Sequence, residues 1–430
     1  MLKTGVITVG ALAILSGVIF ALPEFRTVSY SSTETSEETK PTELKQEEVD
    51  DDRPIVQHQV LPQPVKAVYM TSCVAGTPSF RANLVKLIEE TEINSVIIDV
   101  KDYSGTISFS PESEEWQPAW ENARCGARDM KEFVAELHSK GIFVIARLTV
   151  FQDPFYASRH PELAVKKKDG VTVWQDNKGL SFIDVGARPY WDHIVLLSRD
   201  IYNLGFDEIN FDYIRYPSDG PMQDISFTHS KEYPGDDTKQ ANLEEFFKYL
   251  NSKLDDEALF GKYKHTGHGR DTATPWTSAD LFGMTTTNYD DLSIGQVQER
   301  AAPYFDFIAP MVYPSHYPKN AFGYSNPNEH PYEIVHYAMK TGVERMLSST
   351  TPMQGFTHTR IGTSTPPVYT KPTYSADKLR TWIQDFDYGG DYDVAEVKAQ
   401  IKASRDAGVN SFMIWAPSNI YTRGALDSAN

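Results

Sequence analysis

From residue 65 onward, short apolar runs alternate with longer amphipathic segments, and this rhythm constrains the fold more than any other feature of the chain. VKAVYM (65–70) predicts a strand and FRANLVKLIEET (80–91) a helix with one apolar face. SVIIDVKD (95–102) is the second strand, and ARDMKEFVAELHSKG (127–141) the second helix, with Gly141 suited to its stop. The third strand is IFVIARLTV (142–150), followed by the helix RPYWDHIVLLSRDIYNLG (188–205) and the strand FDEINFDYI (206–214). Further on, ANLEEFFKYLNSKL (241–254), EIVHYAMKTG (333–342) and VAEVKAQIKASRDAG (394–408) read as helices. SADLFGMTT (278–286), FDFIAPMVY (305–313), KLRTWIQDF (378–386) and NSFMIWAPS (410–418) complete a set of eight strands. Continuous Val/Ile runs fit strands covered on both faces, and strand–helix alternation fits a parallel sheet with crossover helices. An open doubly wound sheet is the competing arrangement. Neither a G-x-G-x-x-G after the first strand nor a P-loop supports it. The expected fold is therefore α/β, a (β/α)8 TIM barrel over residues 64–422.

Ahead of the barrel, two segments read differently. Residues 5–22, GVITVGALAILSGVIFAL, form 18 consecutive uncharged residues after Lys3, without a clean small-residue cleavage site. This length is near the lower limit for spanning a bilayer and long for a signal-peptide core. The expectation is a membrane anchor over 1–23 with the bulk of the chain outside, or a signal peptide that leaves a secreted protein. Residues 31–53 hold nine acidic against three basic residues and no aromatic one, so 24–63 reads as a disordered acidic linker. The formal charge of −18 offers no basic stripe to meet phosphates and argues against a nucleic-acid partner.

In such barrels, sites lie at the C-terminal ends of the strands, so the polar groups there are the candidates. Strand two supplies Asp99, Lys101 and Asp102, with Asp99 and Lys101 on one side by parity. Strand three supplies Arg147. On strand four, Glu208, Asn210 and Asp212 share one parity and point inward, while Ile209 and Phe211 face the helices. An inward carboxylate is costly unless paired or used, and Arg147 on the adjacent strand is the natural partner of Asp212 or Glu208. Arg215 and Tyr216 follow strand four, Tyr313 and His316 strand six, Trp382, Gln384 and Asp385 strand seven, and Trp415 ends strand eight. Several carboxyl groups among flat rings and amide or guanidinium donors is the pattern that cleaves and holds sugars. Among the eleven histidines there is no H-E-x-x-H, and His265 and His268 read as a solvated loop, so no metal is expected. No cofactor fingerprint appears, and no G-x-S-x-G elbow.

The stretch 141–220, together with SVIIDVKDYSGTISF, DLSIGQ, FIAPMVYPSHY and LRTWIQDF, resembles a bacterial family of glycoside-hydrolase-like (β/α)8 barrels. That family is catalogued as a domain of unknown function and is distantly similar to amylase-like glycosidases. The resemblance covers about residues 64–420. In the distant relatives an aspartate ending strand four is the nucleophile, which implies that role for Asp212. Their proton donor is a glutamate after strand five, and DLFGMTTTNYDD has no glutamate. The expected donor then comes from another strand, Asp102 or Asp385, with Asp99, Lys101, Arg147, Asn210, Arg215, Tyr216, Tyr313, His316, Trp382, Gln384 and Trp415 contacting substrate. Cys73 follows strand one and Cys125 lies between strand two and helix two, so a disulfide at the rim is expected, with two free thiols as the alternative. The expected activity is hydrolysis of an envelope or extracellular polysaccharide. The alternatives are a non-catalytic glycan-binding barrel, marked by Asp212 locked to Arg147 with no second carboxylate in reach, and a lyase or transglycosylase.

Overall fold

The computed structural model describes residues 52–234 and 237–429. Eight parallel strands close on themselves in chain order. They are β1 (Lys66–Met70), β2 (Ser95–Lys101), β3 (Phe143–Thr149), β4 (Glu208–Asp212), β5 (Trp276–Phe282), β6 (Phe307–Met311), β7 (Thr381–Gln384) and β8 (Phe412–Trp415). The last pairs with the first, Phe412 opposite Lys66, which closes the barrel and leaves no sheet edge. Six long helices cover it: α1 (Pro78–Glu90), α2 (Met130–Ser139), α3 (Arg188–Leu204), α4 (Thr238–Leu254), α5 (Pro331–Leu347) and α6 (Val394–Asp406). Between β5 and β6 the crossover holds a 3-10 turn, Gly283–Thr286, and a single four-residue α-helix, Gln298–Ala301. That crossover is where the sequence rhythm weakens. α3 ends on Gly205, whose φ of 119° lies in a region that side-chain-bearing residues avoid.

Strand parity divides the apolar residues into two cores. Val68, Ile98, Ala146, Ile209, Phe211, Leu281 and Ile414 pack outward against the helices. Ala67, Ile97, Phe143, Ile145, Ala309 and Met413 fill the lower barrel interior. The strands thus feed side chains into a packed interior, and the residues above this plug determine the chemistry of the mouth.

The folded body extends beyond both expected bounds. Ile55–Gln57, expected in the linker, form a short parallel strand against Lys264–Thr266. Val56, His58 and Leu61 are buried. His58 donates to or accepts from His265 at 2.9 Å, and Asp207 joins the group by accepting from His138 Nε2 (3.0 Å) and the Val144 and Gln59 amides. His265 and His268 are therefore part of a packed base beneath the barrel, and burial pushes the His265 ring down to about 3. After Asn419, a short turn at Arg423–Ala425 and a bridge between Thr91 and Ser428 carry the chain past 422. The anchor at 1–23 and the rest of the linker lie outside the described residues. Among those described, no helix is long and apolar enough to cross a membrane.

Cys73 and Cys125 are disulfide-bonded, joining the short helix after β1 to the loop before α2. The bond closes a loop across a sequence separation of 52, which in a chain-entropy account stabilises the fold by roughly 4 kcal/mol. Next to it two backbones nearly touch: a Cβ on Gly76 would lie 2.4 Å from the Gly126 carbonyl oxygen, so only glycine fits there.

Candidate active site

A column of polar side chains rises through the barrel interior from its floor to its mouth. At the floor, Glu208 takes two hydrogen bonds of 2.7 Å from Arg380 Nη1 and one of 2.6 Å from Ser278 Oγ. One turn of the pleat higher, Asn210 Nδ2 donates to Ser278 Oγ and to Asp280 Oδ1, both at 2.9 Å. At the top of β4, Asp212 receives Arg147 Nη2 and, at 2.6 Å, the amide of Tyr213. Tyr213 itself has a φ of +51°, a conformation costly for a bulky residue.

Arg147 lies among three carboxyl groups. Its Nη1 donates to Asp99 Oδ1 at 2.5 Å, its Nη2 to Asp212, and its Nε lies 3.8 Å from Asp280 Oδ2. Asp99 also accepts from the Tyr69 hydroxyl. Arg147 thus pairs with Asp212, as strand adjacency predicts, while Glu208 is matched by Arg380, a residue the sequence reading passed over.

Asp280 is the residue sequence reasoning missed. It is 1 % exposed and buried in the barrel wall, yet it faces the mouth cavity. Its Oδ1 is saturated by Asn210 and by Trp382 Nε1 (2.7 Å), whereas its Oδ2 has no hydrogen-bond partner. Burial and then the charge of Asp212 push its carboxyl well above the ordinary range, outweighing Arg147. Both donors sit on Oδ1, so the proton of the neutral acid belongs on Oδ2, the oxygen free to give it away. A signal was present: Ser278 and Asp280 alternate with apolar Ala279 and Leu281, which places Asp280 inside by the same parity that served for strand four.

The cavity above these groups measures about 280 Å³. Of the expected residues, Arg147, Asp212, Arg215, Tyr313, His316, Trp382 and Trp415 line it. Tyr313 and Trp415 lie 5.2 Å apart between ring centroids and form an aromatic wall with His316, whose ring burial keeps toward the neutral form. Arg215 stacks over Tyr213 and Phe282 at 4.5 and 4.9 Å. Asn210 and Asp99 act from behind, through Asp280 and Arg147.

The remaining expected residues lie elsewhere. The register of β2 shifts between Asp99 and Lys101, and this irregularity turns Lys101 away from the Asp99 side. Fully buried, it donates to the Thr149 carbonyl at 2.7 Å and pairs with Asp153 at 3.0 Å. Asp102 caps a turn, accepting from the Ser104 amide (2.9 Å) and hydroxyl (2.6 Å). Asp385 holds the segment after β8 by accepting from the Thr422 amide (2.8 Å) and hydroxyl (2.7 Å). Neither carboxyl lines the cavity, so neither is placed to give a proton there. Gln384 bridges the Ser315 amide and the Phe386 carbonyl. Tyr216 is buried under a loop with its hydroxyl 2.7 Å from Ser230 Oγ. Among the described residues, no group of three or more His, Cys, Asp or Glu side chains is arranged to hold a metal ion.

Fold and site together define a barrel with paired inward carboxyl groups at its C-terminal mouth. Residues 67–421 match the family described as "Putative glycosyl hydrolase domain", and the chain belongs to that family. No curated protein matches it. Among solved structures, it is similar to a hypothetical protein from Ruminiclostridium thermocellum (30 % identity over 44 % of this chain and 92 % of that one, TM-score 0.38). It is also similar to the PgaB (BpsB) glycoside hydrolase domain from Bordetella bronchiseptica (13 % identity, 87 % and 99 % coverage, TM-score 0.52). The spore cortex-lytic enzyme SleL from Bacillus megaterium aligns at 10 % identity over 87 % and 73 % of the two chains, with a TM-score of 0.42. The resemblance in fold to the Bordetella domain is to a barrel of the same class.

Proposed function

We propose that this barrel hydrolyses O-glycosidic bonds of a polysaccharide, with Asp280 as proton donor and Asp212 as nucleophile or base. The observation that carries this reading is the unpartnered Oδ2 of the buried Asp280, in the same Arg147-centred group as Asp212. In the forward step Asp280 Oδ2 gives its proton to the glycosidic oxygen as the bond to the anomeric carbon breaks. Asp212 either attacks that carbon to form a glycosyl-enzyme, which water then hydrolyses with the Asp280 carboxylate taking the water's proton, or itself takes a proton from the water that attacks the carbon directly. The Asp280 carboxylate left behind keeps its two donors on Oδ1 and Arg147 Nε nearby, so the charge created by the transfer meets fixed dipoles. Tyr313, Trp415 and Trp382 offer rings to the sugar faces. A second carboxyl group within the Arg147 cluster weighs against a barrel that merely binds glycan.

The test is release of reducing ends from a panel of polysaccharides by wild type and Asp212→Asn, both checked for folding. Release that the substitution abolishes supports the reading. Equal release removes Asp212 from the mechanism, and binding of a polymer without release favours a glycan-binding barrel.

The same reading places the barrel outside the membrane, tethered through residues 5–22. Its supports are that uncharged stretch and the Cys73–Cys125 disulfide, since such bonds persist in oxidising compartments. Protease added to intact cells should release or degrade the barrel; full protection in cells that lyse with the protein still intact and reduced would overturn this placement.

A further inference from the structure

A second groove, of about 300 Å³, lies outside the mouth but on the same face of the barrel. It runs between the segment that follows β2 and the six-residue helix that follows β3, Pro154–Arg159, and the upper part of α3 closes it. Its base is a ladder of rings. Trp116 stacks on His193 at 3.8 Å and 16°, His193 contacts Tyr156 at 4.6 Å, and Tyr156 stacks on His160 at 4.2 Å and 26°. Trp116 is buried and anchored by its own N–H to the His193 carbonyl, while Tyr156, His193 and His160 are half-exposed.

Two features separate this groove from an ordinary packing seam. First, its polar atoms are uncommitted. Among the described residues, the Tyr156 hydroxyl, both ring nitrogens of His193 and the Arg159 guanidinium have no hydrogen-bond partner. Glu114 and Glu115 on the opposite rim are equally free. Burial pushes the His193 ring down to about 3, so near neutral pH it presents one donor and one acceptor and no charge. Second, the groove is built rigidly from below. Asp153 caps the helix through the Tyr156 amide (2.7 Å), and is itself held by Lys101 (3.0 Å) and the Tyr190 hydroxyl (2.7 Å). Gly105, at φ +83°, passes so close that a Cβ would meet Asp153 Oδ1 at 2.0 Å. Lys101, set apart from the mouth, thus supports this groove.

The accessible parts of Tyr156, His193 and His160, beside the neutral Tyr156 hydroxyl and His193 ring nitrogens, match the apolar patches and hydroxyl edges of a hexopyranose. Two glutamates against one arginine leave no positive excess for a polyanion. We propose that this groove is a saccharide-binding subsite that takes a neutral hexopyranose segment of the polymer cleaved at the mouth. The identity of that polymer rests on the hydrolase reading above, while the binding itself does not.

The experiment measures binding of cellohexaose, maltohexaose and N-acetylglucosamine hexamer by titration calorimetry to the full chain carrying Asp280→Asn, so that no probe is consumed. Tyr156→Ala and, because that ring packs on its neighbours, the surface change Arg159→Ala are then added separately. At least one hexamer should bind, with Kd weakened roughly tenfold by Tyr156→Ala, about the worth of one hydrogen bond with a stacking contact. Arg159→Ala should weaken it in the same direction. In the otherwise wild-type chain, the same substitutions should raise KM for polymer and leave cleavage of a short aryl glycoside unchanged. Binding by no hexamer, or equal binding by both groove variants and their parent, overturns the subsite. Weakened binding with no cleavage of any polymer would keep the subsite and sink the hydrolase reading. Cleavage indifferent to the groove changes would do the reverse.

Discussion

Under the proposed mechanism, replacing Asp280 by asparagine should slow polysaccharide cleavage by roughly 10²- to 10⁴-fold, the range for loss of a positioned general acid. The substitution is nearly isosteric. The amide oxygen can still accept from Asn210 and Trp382, and the amide nitrogen takes the place of Oδ2. What disappears is the proton, so the loss should fall on kcat more than on KM. It should shrink for aryl glycosides, whose leaving groups need little protonation. The alkaline limb of the pH–rate profile should vanish too, because that limb reports ionisation of the acid. A variant that cleaves natural polymer at the wild-type rate would remove Asp280 from the mechanism.

The same carboxyl leaves a mark on stability. Burial and Asp212 raise its folded pKa above the unfolded value. The folded state therefore binds the proton more tightly, and the associated stability is fully present below the unfolded pKa of about 4. It is lost as pH rises from there through the raised folded value. Asparagine does not titrate. The stability of Asp280→Asn relative to wild type should thus increase with pH from about 4 upward, which denaturant titrations at several pH values would follow.

Much of the barrel could be read in advance because its two periodicities leave separate traces. Outward positions such as Ile98, Ile209 and Ile414 must be apolar to meet helices, and inward ones at the mouth need not be. That contrast exposed Glu208, Asn210 and Asp212 on β4 at once. The same rule held on β5, but Ala279 and Leu281 are weaker markers than a valine–isoleucine run, and Asp280 went unread. Lys101 shows the opposite limit. Parity counting assumes an unbroken pleat, and a single irregularity after Asp99 reverses every side chain beyond it. Asp102 and Asp385 lie near strand ends, where only tertiary structure tells a turn cap from a residue in the mouth. Residues 55–61 looked like the end of an acidic linker because one short strand and a buried histidine carry no periodic signal.

Removing Arg380 alone should destabilise the protein by about 3–5 kcal/mol, the usual cost of stranding one member of a buried ion pair. Arg380→Met would leave Glu208, fully buried at the barrel floor, with only Ser278 Oγ to answer its charge. The guanidinium is itself poorly served. Its Nε and Nη2 have no hydrogen-bond partner, and its plane rests on Phe307 at 3.6 Å. A pair with so many unmet donors has little net advantage over apolar packing. Adding Glu208→Leu to Arg380→Met should therefore restore most of the lost stability, and a double-mutant cycle by urea unfolding would show strong coupling. Activity should not return with it. Glu208 orients Ser278, Ser278 shares Asn210 with Asp280, and Asn210 holds Asp280 Oδ1, opposite the unpartnered Oδ2 proposed to carry the proton. A refolded but slow double variant would assign the floor pair to positioning the acid. A double variant as unstable as Arg380→Met alone would mean that the pair, despite its unmet donors, holds the barrel closed.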